Sequence, residues 1–236
     1  MKKERILTSI IGFLILNSFW SISNLCAQET INKPLTKEEW QATPFYQGSF
    51  VGLDIFGLGS KVFGGDYTST EINAEVNLKN RYFPVIEIGY GTIDTTNDET
   101  DIHFKTSAPY FRIGANYNVF YKKPYLPGHF LVGLRYGFSS FSYDVSAPPL
   151  TDPIWGKPSI PFSYQGVKSN ASWLELAIGL RANIYKSLYM GLSLRYRSKI
   201  SIKKNENSDP YYIPGYGKNK GSNIGILYNI IYQLPF

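Results

Sequence analysis

A regular alternation of apolar and polar residues runs through most of this 236-residue chain. A period of two puts every second side chain on one face of a β-strand, whereas a helical face needs a period of 3.6. Turn signals divide the alternating stretches into eight predicted strands, at residues 50–57, 70–78, 82–92, 104–119, 129–143, 173–185, 188–200 and 223–236. The pattern therefore predicts an all-β fold.

The connections between these strands alternate in length. Three are short, at 79–80, 121–128 and 186–187, and four are long, at 58–69, 93–103, 144–171 and 201–222. Short turns on one rim and long loops on the other are typical of an outer-membrane barrel. We predict an eight-stranded antiparallel up-and-down transmembrane β-barrel with both termini in the periplasm and four external loops.

The two faces of the strands differ in chemistry. One face carries Leu, Ile and Val with Tyr and Phe towards the strand ends, and the other carries Gly, Asn and Ser with isolated Glu and Arg. In a soluble ligand-binding barrel, the polar face would be exposed to water and dense in charged residues. Small residues instead suit the crowded interior of an eight-stranded barrel. We therefore predict that the apolar face contacts lipid and that the polar face fills the lumen.

Five acidic residues and five arginines occupy strand positions whose side chains are predicted to point into the lumen. Each would be costly to bury alone, but a well hydrogen-bonded set of pairs can roughly break even. The planar guanidinium of arginine suits this role because it can contact carboxylates with two donors. A structural salt-bridge core is the leading interpretation, and a narrow or gated pore and a proton- or ligand-linked site are the alternatives. The predicted lumen charge network is Asp54, Glu71, Glu75, Glu87, Glu175, Arg112, Arg135, Arg181, Arg195 and Arg197.

The amino terminus has the pattern of an export signal. Lys2, Lys3 and Arg5 precede a short apolar core at 10–16, and small residues allow cleavage after Ala27. We predict a signal peptide at 1–27, an irregular polar periplasmic arm at 28–47 and the barrel at 48–236. A lipoprotein anchored at Cys26 is the alternative, although its preceding residue is Leu25 rather than a small one.

The composition argues against several classes of function. One Cys and two His cannot form a thiolate cluster or a disulfide framework, and we expect no cofactor. The net charge of +6 includes +2 from the leader (three basic residues against Glu4), which leaves +4. That charge, together with export, argues against nucleic acid as a partner. No later segment has 18 uninterrupted apolar residues, so we predict no transmembrane helix.

The second long loop offers the one candidate for chemistry. His103 follows Asp94, Asp98, Glu99 and Asp101, and Ser107 is near in sequence. A lipid-modifying site at His103 and a Ca²⁺ site on the acids are alternatives to a solvated acidic loop. The acids lack the fixed spacing of a defined calcium loop. We predict that the protein is not an enzyme and has no metal site.

The third and fourth long loops are rich in proline and aromatic residues. Rigid aromatic side chains on stiffened loops are suited to contacts with a partner protein or lipopolysaccharide. Packing of these loops over the barrel mouth is the alternative, and we expect the barrel itself to be monomeric. The possible contact residues are Trp155, Tyr164, Tyr211, Tyr212 and Tyr216.

Several segments carry a family resemblance, among them YFPVIEIGYG (82–91), FLVGLRYGFSSFSY (130–143) and WLELAIGLRANIY (173–185). With the terminal YQLPF, they resemble small outer-membrane β-barrel proteins of Bacteroidetes-type Gram-negative bacteria, and in general shape OmpX, the OmpA barrel and PorT-like proteins. The resemblance implies the outer membrane, contact with its lipid and lipopolysaccharide, and Phe236 as the insertion signal. It implies a structural or interaction role, with an accessory factor for secretion or envelope assembly, or a narrow channel, as alternatives. A lipid-modifying barrel enzyme is the least favoured.

Overall fold

The computed structural model describes residues 33–59, 67–98, 100–150, 160–205 and 208–235. Residues from Leu35 onward form one compact unit. Its helices are α1 (Lys37–Ala42) and α2 (Phe56–Gly59). Its strands are β1 (Tyr46–Asp54), β2 (Tyr67–Leu78), β3 (Tyr82–Thr96), β4 (His103–Asn118), β5 (Gly128–Leu150), β6 (Ile160–Tyr185), β7 (Leu188–Ile202), β8 (Tyr212–Ile213), β9 (Gly217–Lys218) and β10 (Ser222–Gln233).

Eight of the strands form a closed barrel in the order β1-β10-β7-β6-β5-β4-β3-β2. Every neighbouring pair is antiparallel, and β10 closes the ring by pairing with β1. The short strands β8 and β9 form a separate two-stranded hairpin. The predicted eight-stranded up-and-down barrel is therefore confirmed, and closure gives each of these eight strands a neighbour on both sides.

The predicted tight turns also occur. Lys79 and Asn80 have φ of 53° and 54°, as the two central residues of a type I′ turn require, and Lys186 has φ of 48° in the second short turn. The connection between β4 and β5 (119–127) is the third that was predicted to be short, although it is longer than the β3–β4 connection (97–102), which was predicted to be long. The three connections predicted to be short lie at the same end of the barrel as the start of β1 and the end of β10.

The loop predicted at 144–171 is wrong over most of its length. β5 continues to Leu150 and β6 begins at Ile160, so the hairpin extends far beyond the rest of the barrel. The alternating pattern continues through Tyr143 and Val145, which pair with Val167 and Tyr164. Pairing becomes irregular between Ala147 and Leu150, where two prolines lack backbone donors. The prolines led us to predict a loop where the structure has a bulged hairpin.

The described part of the arm before the barrel, from residue 33 onward, contains the short helix α1. Thr36 caps α1 by accepting a hydrogen bond from the Glu39 backbone, while the Glu39 side chain accepts one from the Thr36 backbone. This capping box satisfies donors that a helix start leaves unpaired. The Trp40 indole then donates to the carbonyl of Lys79 across 3.1 Å. The arm is thus attached to the turn between β2 and β3, and β1 begins at Tyr46, four residues earlier than the predicted strand at 50–57.

The outside of the barrel is an apolar belt with aromatic residues at its limits. On β3 the belt runs from Tyr82 to Tyr90, which is about 27 Å along the strand and about 21 Å along the barrel axis at a tilt near 40°. That height approaches the apolar band of about 25 Å in outer-membrane barrels. Exposed aliphatic residues between these limits include Ile72, Ile86, Ile88, Ile113, Leu134, Leu176, Leu180, Leu192 and Ile226.

Neither described helix has the length and apolar character needed to cross a membrane.

Candidate functional site

The strand register places charged side chains of the lumen directly opposite one another. Glu87 on β3 is paired with Arg112 on β4. Glu175 on β6 faces Arg135 on β5 and Arg197 on β7. Because the inward faces of eight strands meet in a narrow lumen, these residues come together although they are far apart in sequence.

They form one group, here called the ionic cluster, which consists of Glu71, Glu87, Glu175, Arg112, Arg135, Arg195 and Arg197. Glu87 is its centre: its oxygens lie 2.7 Å from Arg135 Nε, 2.6 Å from Arg195 Nη1 and 3.2 Å from Arg112 Nη1. Glu175 Oε1 lies 2.7 Å from Arg112 Nε and 3.3 Å from Arg197 Nε. Arg112 also pairs with Glu71.

Neutral donors add hydrogen bonds to two carboxylates in the ionic cluster, while Glu71 Oε1 has no hydrogen-bond partner. The Tyr110 hydroxyl donates to Glu71 Oε2 across 3.0 Å, and the Trp173 indole donates to Glu175 Oε1 across 2.7 Å. Buried ion pairs offset their desolvation only when such additional hydrogen bonds are present. The ionic cluster is therefore built as a stable dry element, with four arginines against three glutamates.

The other three predicted members lie apart from the ionic cluster. Arg181 Nη2 pairs with Glu75 Oε2 at 2.5 Å, and Asn116 donates to the second Glu75 oxygen. Asp54 accepts hydrogen bonds from the backbone of Phe56, Gly57 and Tyr228 instead of from an arginine. Its role in the described structure is to cap α2 and the adjacent strand. Asp54 is therefore buried as predicted but is not bonded to an arginine.

The described part of the fourth long connection folds back into the barrel mouth, and residues 208–221 are here called the inserted loop. Arg112 Nη2 donates to the carbonyl of Gly215 across 2.7 Å, and Arg197 Nη1 donates to that of Tyr216 across 3.1 Å. Ile213 and Tyr216 of this loop are fully buried. The two arginines thus use spare donors to hold the inserted loop above the ionic cluster.

Glycine at position 215 is required by this arrangement. Its φ of +80° is a backbone conformation that residues with a Cβ rarely adopt. A Cβ there would also overlap the ring of Tyr110. The inserted loop can therefore approach the strands closely only because residue 215 has no side chain.

Two aromatic layers lie above and below the charged middle of the lumen. The lower layer packs Phe50, Phe83, Leu131 and Ile231, with the His129 ring 5.2 Å from that of Phe83. The upper layer joins barrel residues to the inserted loop and contains Ile93, Phe104, Ala108, Tyr110, Phe141, Tyr143, Val145, Ala171, Trp173, Tyr212, Ile213 and Tyr216. The lumen is filled as predicted, but only its middle is charged.

These aromatic residues were not predicted to lie in the lumen, although their positions in the alternating pattern indicate it. Phe83 shares the parity of Glu87, Tyr110 that of Arg112, and Trp173 that of Glu175. An aromatic residue on the same parity as a buried charge must also point inward. The parity of the charges was therefore sufficient to find the strand residues of both layers, but not Tyr212, Ile213 and Tyr216 of the inserted loop.

The predicted loop contact residues occupy different environments. Tyr212 and Tyr216 are buried in the upper layer, so their assignment as external contacts is wrong. Tyr164 lies on β6 against Phe162, partly buried. Tyr211 is 42% exposed. Among the described contact residues, it is the one that lies on the surface as predicted. Trp155 lies outside the described residues.

The candidate chemistry of the second loop is not assembled. His103 Nε2 lies 2.8 Å from Asp94 Oδ1, while Ser107 hydrogen-bonds Thr92 instead. His103 and Ser107 are four residues apart on one strand, about 13 Å, which is too far for proton transfer. The hydrogen bond from His103, followed by that from Lys105, lowers the pKa of Asp94.

The remaining predictions concern metal ligands, Glu99 and the two ends of the chain. Within the described residues, no three His, Cys, Asp or Glu side chains form a group able to hold a metal ion. Glu99, the leader at 1–27 and Phe236 lie outside the described part of the chain.

An apolar belt with aromatic limits around a filled, charged lumen defines an integral outer-membrane β-barrel, because such a surface needs lipid outside and a closed sheet inside. The protein is thus located in the bacterial outer membrane. By sequence, the chain belongs to the family described as Domain of unknown function (DUF6048), whose model matches residues 6–236.

Solved structures of outer-membrane proteins show a distant similarity to the chain. Ail, the attachment invasion locus protein of Yersinia pestis, is 9% identical, with 79% of this chain and 98% of Ail covered and a TM-score of 0.41. Its complex with the heparin analogue sucrose octasulfate gives the same identity and coverage, with a TM-score of 0.39. A major outer membrane protein from Thermus thermophilus is 12% identical, with 80% and 99% covered and a TM-score of 0.45. No curated protein matches the sequence significantly.

Proposed function

We propose that the protein is a non-enzymatic, monomeric outer-membrane barrel that acts as a structural and interaction scaffold of the cell envelope. The observation that carries the proposal is the inserted loop, which fills the external mouth and is bonded to the ionic cluster. Among the described residues, a cavity of about 460 Å³ remains beside the inserted loop and reaches Glu71, Arg112 and Arg197, and we propose that the ionic cluster below it blocks the passage of a solute. The external surface of the barrel is therefore the part available for function.

That surface contains a groove of about 890 Å³, here called the outer groove. It lies between the β3–β4 connection, the β5–β6 hairpin and the inserted loop. Aromatic side chains (Phe104, Phe162 and Tyr211) line it together with Asp98, Asp209, Lys218 and Lys220. A concave site of this size with aromatic walls and a few charged groups is typical of a binding site. We propose that it binds a second envelope component, either a protein or lipopolysaccharide.

Site-specific photo-crosslinking in living cells tests this role. A photoreactive amino acid in place of Tyr211 should give a discrete adduct, whose protease sensitivity distinguishes a protein partner from lipopolysaccharide. The control is the same substitution at Leu176, which is exposed in the middle of the apolar belt. Identical adducts at both positions, or none at Tyr211, would exclude a partner at the outer groove.

A narrow channel is the second candidate, because the ionic cluster would line its path if the inserted loop moved. Conductance in planar bilayers separates the two functions. The scaffold predicts no discrete conductance steps from the purified barrel. Regular steps that change when Arg112 is replaced would favour the channel.

The processing of the amino terminus, the role of the periplasmic arm and the insertion signal are also proposals. We propose cleavage after Ala27, a periplasmic arm at 28–47, and Phe236 as the signal for insertion. The arm is the second surface through which a PorT-like accessory role in secretion or envelope assembly would act. Mass spectrometry of the mature protein distinguishes a start at Gln28 from a lipid-modified Cys26.

A further inference from the structure

A small cavity of about 40 Å³ lies in the lumen on the periplasmic side of the ionic cluster. Three arginines and two glutamates line it: Arg135, Arg181, Arg195, Glu75 and Glu87. Their formal charges sum to +1 (three positive against two negative). Asn73, Asn116, Ser193 and Asn229 supply the remaining polar lining.

The arginines of this cavity have more donors than the protein can satisfy. Arg135 Nη1, Arg195 Nε, and both Nε and Nη1 of Arg181 are buried without a hydrogen-bond partner. Each of the three residues is at most 5% exposed. A buried charged donor without an acceptor costs more than a neutral one. The amide oxygens of Asn73 and Asn229, which also line the cavity, are likewise without a partner. If these two amides are turned so that Nδ2 takes the place of Oδ1, the free groups of the arginines and the amides are all donors and together need an acceptor.

The carboxylates are not available for this task because their oxygens are already engaged. Glu75 accepts from Arg181 Nη2 and Asn116, and Glu87 accepts from Arg112, Arg135 and Arg195. Water could accept hydrogen bonds from the free donors but would leave the excess positive charge in place. A monovalent anion satisfies the donors and also cancels that charge.

We propose that this cavity is a binding site for a small monovalent anion of the halide class, with chloride as the physiological ligand. The volume admits only one or two water-sized species, which excludes sulfate and phosphate. Asn73 and Asn229 can turn their amides so that Nδ2 faces the anion. The anion is a structural constituent of the lumen, and its binding does not depend on the proposed role of the outer groove.

Thermal unfolding of the folded barrel in detergent, at constant ionic strength, tests the proposal. Replacing gluconate, which is too large for the cavity, by chloride should raise the unfolding midpoint in a saturable way. At a chloride concentration ten times Kd the expected shift is about 3–6 °C. Equal midpoints in chloride and gluconate would mean that water alone fills the cavity, and would overturn the proposal.

Two matched variants locate the effect. Asn73→Asp places a carboxylate in the cavity, so it should remove the chloride dependence and raise the midpoint measured in gluconate. Asn77→Asp adds the same charge at another buried inward position of β2 that does not line the cavity, and it should retain the dependence. If Asn77→Asp also removes the chloride dependence of the unfolding midpoint, that dependence reflects the total charge of the lumen, and the assigned site is wrong.

Crystals grown in bromide provide a measurement that needs no variant. The proposal predicts an anomalous peak within hydrogen-bond distance of the guanidinium groups of Arg135 and Arg181. Bromide peaks confined to the protein surface would overturn it.

Discussion

Two ion pairs of nearly equal length show how strongly position changes the effect of a charge in this barrel. In the lumen, Arg112 Nη1 lies 3.2 Å from Glu87 Oε2, and both side chains are 1% exposed. On the external rim, Lys105 Nζ lies 3.1 Å from Asp94 Oδ2, with side chains 55% and 51% exposed. The lumen pair has lost its hydration and depends on its partners, whereas water can replace either member of the rim pair. Burial, rather than distance, therefore determines the energetic cost of breaking each pair.

Glu87→Gln is expected to have the largest effect. It removes the charge that three buried arginines share, and breaking a buried ion pair costs about 3–5 kcal/mol. The free energy of unfolding, measured by urea titration of the barrel in lipid vesicles, should fall by that amount. Glu75→Gln is the control and should cost less, because Glu75 pairs with Arg181 alone. Equal losses for both variants would show that the number of buried partners does not matter.

Gly215→Ala tests whether the inserted loop keeps the ionic cluster dry. The strained backbone and the overlap with Tyr110 should cost about 1–3 kcal/mol, with faster hydrogen exchange of the amides at 210–217. The control is Gly221→Ala, where an added Cβ meets no atom within 4 Å.

A double-mutant cycle sharpens the comparison between lumen and rim. If water enters when the loop is displaced, Glu87→Gln should cost less in the Gly215→Ala background than in the wild type. Additive losses would mean that the inserted loop has no part in keeping the ionic cluster dehydrated.

Tyr143→Phe should have a smaller effect. The Tyr143 hydroxyl donates to the carbonyl of Ser208 across 2.6 Å and attaches the inserted loop to β5. Loss of one neutral hydrogen bond should cost about 0.5–1.5 kcal/mol, measured by the same urea titration. Amide exchange at Ser208 should rise more than exchange in the membrane-spanning strands, and uniform changes along the chain would contradict a local anchor.

Asp94→Asn is expected to have the smallest effect, a few tenths of a kcal/mol, because the rim is hydrated and screened by salt. The pKa of Asp94 is lowered in the folded state, so its contribution to stability is present above the unfolded pKa of about 3.9 and is lost as the pH falls below it. The wild type and the variant should therefore differ slightly at pH 6 and converge as the pH falls through the lowered folded-state pKa of Asp94. A difference that grows on acidification would contradict this assignment.

The positions of most strands could be predicted because alternation is a local property. The turn at Lys79 and Asn80 is equally local, since a type I′ turn demands positive φ at both central positions. The β5–β6 hairpin was missed because Pro148 and Pro149 indicate a loop in sequence, and only the pairing shows that a bulge accommodates them.

The candidate site was predictable in part. Parity identified the charged residues of the lumen, but it could not show that Asp54 bonds backbone amides while Glu87 contacts three arginines. Tyr212 and Tyr216 were assigned to the exterior because long aromatic loops usually face solvent. Whether such a loop turns outward or into the barrel depends on donors such as Arg112 and Arg197, which lie on other strands.

The sequence by itself determined the number of strands, the face on which each charge lies, and the apolar surface that needs lipid. These features follow from the two-residue repeat of a β-strand, which depends only on residues that are close in sequence. Only the tertiary structure decided which charges meet, that residues 212–216 enter the lumen, and that a cavity with unpaired arginine donors remains. Those outcomes depend on the register of eight strands and on the filling of a fixed volume, and no local stretch of the chain specifies either.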